Sequence, residues 1–217
     1  MNFYIPVLCP TNSNITNSAF QSNNKMDITL HEQKSFEDID YSENTVTDSE
    51  FYKCDFIKCN FTNSDLSDID FIDCTFTDCN FTLCLMKNSG FKDIQFNSCK
   101  IIGIDFSVCN NFLFTVSFND CHLDYSTFHS KKMRKTEFIN CTLKQVDFTK
   151  VDLTSSTFKN CDLSNAIFNQ TILEKVDFRT AVNYTLEPGH NKIKKARFSL
   201  KGLPGLLATY DIDIDYE

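Results

Sequence analysis

Five glycines among 217 residues leave no glycine-rich loop to cradle a phosphate, and no apolar run is long enough to cross a membrane as a helix. Histidine is scarcer still. The four, His31, His122, His129 and His190, have no Ser or Cys partner that a regular chain would converge into a pocket, so the sequence reads as a protein with neither enzymatic activity nor cofactor. Basic residues number 21 against 29 acidic ones, and the resulting charge of −8 disfavours direct binding of nucleic acid. The cluster Lys131, Lys132, Arg134 and Lys135 has no interleaved aromatics and reads as a solvated patch. The start, MNFYIPVLCPTN, lacks the basic residues of a signal peptide and is interrupted by Pro6, so a cytoplasmic protein with reduced thiols is expected.

What the chain does have is a period of five. From Phe71 to Phe81 it reads FIDCTFTDCNF, with an apolar ring at every fifth residue. On a helix, residues five apart scatter around the axis; on a flat strand they point to opposite faces. The backbone must therefore turn between one ring and the next. In a first register the fifth residues are Phe36, Tyr41, Val46, Phe51, Phe56, Phe61, Leu66, Phe71, Phe76, Phe81, Met86, Phe91, Phe96, Ile101 and Phe106. After a slip of two residues near 107–113 they are Leu113, Phe118, Leu123, Phe128, Met133, Phe138, Leu143, Phe148, Leu153, Phe158, Leu163, Phe168, Leu173 and Phe178. All are apolar in a chain that is 41% hydrophobic, so internal repetition organises the molecule.

The cysteines give the number of repeats per turn. Cys59, Cys79, Cys99, Cys121, Cys141 and Cys161 are spaced by 20 residues, except for one interval of 22 that spans the slip. Four pentapeptides therefore make one square coil, with each centre and the residue two before it pointing inward. The cysteines read as small apolar filler, because thiols five or 20 residues apart along a regular wall do not converge as zinc ligands. The expected fold is an all-β, four-sided solenoid of about seven to eight coils, each roughly 4.8 Å above the last.

Repeats such as CDFIK, CNFTN, SDLSD, VDFTK, VDLTS and CDLSN resemble those of the pentapeptide repeat proteins. That resemblance implies a right-handed quadrilateral β-helix. The end of the chain, ARFSLKGLPGLLATYDIDI, is similar to the end of the Qnr-type quinolone-resistance proteins, in which a short helix and strand pair two monomers tail to tail. It implies a protein that mimics DNA, binds DNA gyrase or topoisomerase IV and protects it from quinolones or toxins. The long projecting loops of some Qnr-type proteins have no counterpart here beyond the two-residue slip, so no loop residue carries over.

These observations divide the chain into a disordered extension over 1–25, a β-helix over 26–182 and a module over 183–217 that caps the last coil or forms a homodimer. The expected interface is Leu203, Leu206 and Leu207 on a helix begun by Pro204, followed by Tyr210, Ile212 and Ile214 alternating with aspartates as a strand should. At the slip, Phe112 and Phe114 fall out of register, as a small bulge or as a contact for a partner. Charge is uneven: residues 31–111 sum to −9 and 112–182 to +1. Folding the repeats in fours places Asp48, Asp65, Asp68, Asp105 and Asp147 on one wall and Glu50, Asp70, Asp73, Asp93 and Asp152 on the next. These carboxylates either face a basic groove on a partner or only satisfy turns. Two functions stand. A topoisomerase-binding DNA mimic requires a continuous negative wall and a symmetric dimer; a scaffold for another protein requires patchy charge and an exposed Phe112 or Phe114.

Overall fold

The computed structural model describes residues 29–47 and 49–215; the extension predicted over 1–25 and Asp48 lie outside the described residues. Each repeat lays an extended segment along one wall and turns at the residue two after its centre. That residue adopts a left-handed backbone at most corners, including Asn63 (φ 54°), Leu83 (57°), Tyr125 (64°) and Lys150 (59°), though not at Val108 or Thr180. Glycine occupies the corner only at Gly103, with φ 70°. A left-handed backbone costs a residue with a side chain about 1–2 kcal/mol. The turns persist because packing above and below determines them.

Parallel strands stack on two walls. The first wall holds β1 (Thr29–Glu32), β3 (Ser49–Tyr52) and β5 (Asp70–Ile72), and the second holds β2 (Ser35–Glu37), β4 (Asp55–Ile57) and β6 (Thr75–Thr77). β7 (Gly90–Asn97) runs along both, and β8 (Phe114–Asn119), β9 (Glu137–Ile139) and β10 (Thr157–Lys159) continue the stack. On the other two walls single parallel bridges do the pairing, such as Asn60↔Asn80 on the third and Asp65↔Leu85 on the fourth. The register is the one spelled by the cysteines: Phe36↔Phe56, Phe56↔Phe76 and Phe76↔Phe96, then Phe96↔Phe118 across the slip, then Phe118↔Phe138 and Phe138↔Phe158. The four-sided solenoid expected from the period is the fold observed.

Inside, like stands on like. Along the second wall Phe36, Phe56, Phe76, Phe96, Phe118, Phe138, Phe158, Phe178 and Phe198 form one column, with neighbouring ring centroids 4.7–5.4 Å apart and nearly parallel. Rings of adjacent walls meet edge to face, as Phe71 and Phe76 do at 5.4 Å and 70°. Both geometries suit aromatic quadrupoles. The first wall's column begins earlier than the sequence period indicates. His31 is buried and stacks on Phe51 at 4.8 Å, taking the place of an aromatic centre before Phe36.

Each ladder cysteine sits at the inward position two before a centre. Its thiol donates to a carbonyl of the coil below, as Cys59 does to Phe36 (3.4 Å) and Cys99 to Phe76 (3.4 Å). The ten described cysteines are buried and unbridged. Burial pushes the Cys74, Cys84 and Cys109 thiols up to about 12, which keeps them protonated and unreactive near neutrality.

At the far end, stacking continues beyond residue 182 through Ile172↔Lys192 and Asp177↔Arg197. A 3-10 turn (Leu200–Gly202) and the helix α1 (Pro204–Leu207) then close the rod, with Gly205 accepting a hydrogen bond from the Leu186 amide at 3.0 Å. Tyr184 is wedged under this cap. A Cβ at Gly205 would lie 2.1 Å from the Tyr184 carbonyl oxygen and one at Gly202 only 1.9 Å from its hydroxyl, so the spacing G-L-P-G follows from close approach. The strand expected over 210–214 is not formed. Residues 208–210 continue as a 3-10 turn and 211–215 carry no strand, because no free sheet edge of the same chain pairs with them.

Phe76 is fully buried between Phe56 and Phe96. Its replacement by Ala is expected to cost about 3–5 kcal/mol in urea unfolding. A loss below about 1 kcal/mol is the value of an ordinary surface change and would mean that the column contributes little.

Candidate partner-binding walls

The solenoid interior is filled, so any binding is left to its outside. A cavity of about 480 Å³ beside the cap, lined by Arg179, Thr180, Asn183, Tyr184, Ser199 and Lys201 among others, has no His, Cys or carboxylate in its walls. Among the described residues no three His, Cys, Asp or Glu side chains gather as metal ligands.

The fourth wall carries the aligned aspartates. Asp65, Asp105 and Asp147 fall in one column through the bridges Asp65↔Leu85, Asp105↔Thr127 and Thr127↔Asp147. Each spends one oxygen on its own turn, accepting from the amides of Ser67 (2.9 Å), Ser107 (2.9 Å) and Thr149 (2.8 Å). They are Asx-type caps as well as surface charges. Asp68 stands at the adjoining corner and accepts from the Asn88 amide side chain at 3.1 Å.

On the first wall Glu50 and Asp70 are stacked in register, and Asp73 and Asp93 occupy left-handed corners. Among the described residues none of these four has an ion pair within 4.0 Å. Asp152, placed on the same wall by the sequence, is not part of that surface. It is only 6% exposed, bonded by the Arg134 Nε at 2.6 Å and by the amide and hydroxyl of Thr154. Burial opposes its ionisation, yet the bonds from Thr154 and Arg134 hold its carboxyl below the usual range. Above the slip the first wall turns basic, with Lys132, Lys135, Lys175, Lys192, Lys194 and Lys195 all exposed. The negative wall is therefore confined to the first half of the rod.

The slip is a built bulge. Asn110 keeps the old register, its amide bonding the Ser89 carbonyl, whereas the Phe91 amide bonds Leu113 and so pairs Phe91 with Phe114. Asn111, Phe112 and Leu113 are thus inserted as three extra residues. One is taken back when Val116 pairs with Ile94, and the net offset is the two seen in the sequence. Phe114, not Leu113, fills the interior column: it is buried against Phe106, and Leu113 is half-buried. Phe112 is 99% exposed at the edge of the first wall.

A buried lysine holds this bulge. Lys131, expected in a solvated patch, is 1% exposed; its Nζ donates to the Cys109 carbonyl and to Asn111 Oδ1 (2.8 Å) and lies 4.9 Å from the centre of the Phe114 ring. The coil geometry explains the correction: Lys131 lies two residues before the centre Met133, the inward position, and burial lowers its pKa. Lys132, Arg134 and Lys135 remain exposed.

At the end of the rod, Leu203, Leu207, Tyr210 and Ile212 are exposed and Ile214 is half-buried, whereas Leu206 packs against the core as part of the cap.

A family model described as the pentapeptide repeat region matches residues 49–128 and 111–178. No curated protein matches the chain. Among solved structures it is similar to a trypsin-treated variant of QnrB1, a plasmid-mediated fluoroquinolone resistance protein, with a TM-score of 0.54 and 16% identity over 90% of this chain and 96% of the other. It is also similar to full-length QnrB1, with a TM-score of 0.51 and 15% identity over 84% of this chain and 100% of the other. At such identities the likeness concerns the fold.

Removing the Lys131 ammonium leaves the Cys109 carbonyl and Asn111 unsatisfied. Lys131→Met is expected to cost about 1–3 kcal/mol and to raise amide exchange selectively over 109–116. Unchanged protection there would show that the bulge holds itself.

Proposed function

The chain belongs to the pentapeptide repeat family, and from that premise we propose that it is a non-catalytic rod whose outer walls bind another protein. The observation that carries this reading is the segregation of surface charge. Glu50, Asp70, Asp73 and Asp93 have no ion-pair partner among the described residues, while the same wall is basic beyond the bulge. Exposed Lys53 and Lys92 share the lower half of this wall but are outnumbered by its carboxylates, and such an excess of one sign on a rigid surface favours a partner of opposite sign and steers its approach. The patchiness and the exposed Phe112 support a scaffold that binds protein over a continuous imitation of DNA.

A second, narrower reading is a Qnr-like protector of DNA gyrase or topoisomerase IV. It draws on the aspartate column of the fourth wall and on the fold shared with QnrB1, a fluoroquinolone resistance protein. Tail-to-tail pairing through Leu203, Leu207, Tyr210 and Ile212 belongs to this reading, since those groups are exposed at the end of the rod.

One comparison tests both. Asp65→Lys/Asp68→Lys/Asp73→Lys, in a rod with unchanged circular dichroism, is expected to weaken capture of the physiological partner by tenfold or more. Equal capture by the variant contradicts the acidic-face reading. Gyrase supercoiling with and without a quinolone then identifies the partner: rescue by wild type and not by the variant supports the topoisomerase reading, and no effect on either enzyme rejects it.

A further inference from the structure

At its first coil the rod ends on an apolar face that is nonetheless covered. Thr29 is the first described residue, and His31, Phe36, Tyr41 and Val46 make the outermost layer of inward centres. They are only 5%, 4%, 8% and 6% exposed. At the opposite end Ile193 and Phe198, in the last layer, are half-buried even with the helical cap beside them. Among the described residues Lys34 reaches across the first layer, with its Nζ 3.3 Å from His31 Nδ1, and Ile39 packs partly on the core. Two side chains do not enclose four. A further regular coil does not supply the cover either: counting back from His31 by fives gives Met26, Gln21 and Thr16, and two of these three are polar. Upstream of them residues 3–8 read FYIPVL, five large apolar side chains and a proline without a charge.

We propose that residues 3–8 fold back across the open end of their own rod and seat Phe3, Tyr4, Ile5, Val7 and Leu8 on the layer of His31, Phe36, Tyr41 and Val46. Twenty residues, 9–28, join this run to Thr29 at the edge of the face. A chain of that length averages about 25 Å end to end, against about 10 Å between facing walls, so the run reaches any part of the face at an effective concentration on the order of 1 mM. A second copy at micromolar concentration competes at about a thousandfold disadvantage, which makes the chain's own segment the occupant. Burial of apolar surface on both sides is the driving force. Pro6 suits a terminal layer, because it has no amide to offer and so gives no full strand edge on which another chain could build. The end face belongs to none of the walls assigned to a partner, so the proposal stands or falls separately from the partner-binding reading.

The test uses the full chain. Cys9 adjoins the run and is the one cysteine besides the ten buried in the rod, so a nitroxide attached to it reports on the run alone. Amide signals of residues 31–46 are expected to broaden and those of 118–158 to stay sharp. A mixture of spin-labelled chain with unlabelled, isotope-enriched chain is expected to show no broadening, because the contact lies within one molecule. Ile5→Asp/Val7→Asp is expected to raise amide exchange over 31–46 by about tenfold or more, and Ile5→Val/Val7→Ile to leave it unchanged, while 118–158 keeps its protection in both. Sharp signals at 31–46, broadening in the mixture, or unchanged exchange in the aspartate variant overturns the proposal.

Discussion

Stacking of identical side chains at every twentieth residue is the contact on which the rest of this structure depends. A ring such as Phe138 lies between Phe118 and Phe158 at 5.3 and 4.8 Å, and it touches the opposite wall edge to face at Phe148. Each ring therefore buries both of its faces only if its neighbours are one coil away and of its own size. The backbone ladder, the thiol-to-carbonyl bonds and the left-handed corners follow from that register. None of these is stable alone: a left-handed Leu83 or Tyr125 is unfavourable, and a single bridge between coils contributes little. Repeated along the rod, the contacts form a quasi-one-dimensional solid in which each coil is held by the two beside it.

A filled interior moves function outward and makes irregularities informative. Regular positions carry turn chemistry, as the Asx caps at Asp65, Asp105 and Asp147 show. The bulge at 111–113 departs from the grammar, and it has a dedicated internal support in Lys131. A lysine buried inside the solenoid is costly to desolvate, so its bonds to Cys109 and Asn111 are the compensation that makes it tolerable. One wall thereby acquires an exposed aromatic where its charge changes sign.

The fold was legible because every repeat states it again. The site was less so, and the reasons lie in particular residues. Lys131 looks like a surface residue by type, although its place two before Met133 marks it as inward. Leu113 falls on the column by sequence because an offset records only the net slip of two, and three residues gained and one returned give the same number. His31 escaped because an aromatic heterocycle at a centre does not look apolar. Asp152 sits in a column of surface residues, but Arg134 from the coil below lies across it, a contact no five-residue pattern specifies. The strand expected over 210–214 has the right alternation and no edge to pair with in its own chain. Alternation states which side of a segment is apolar and leaves its partner unspecified.

The central claim is that columns of twenty, and not repeats of five, hold the rod together. Excising residues 138–157 removes one whole coil and returns Phe over Phe; excising 138–152 keeps the five-residue grammar but sets Phe columns over Leu columns. Urea unfolding of the two shortened proteins separates the possibilities. The account predicts that the twenty-residue excision unfolds cooperatively near the wild-type midpoint and that the fifteen-residue excision is markedly less stable. Equal stability of the two would contradict it.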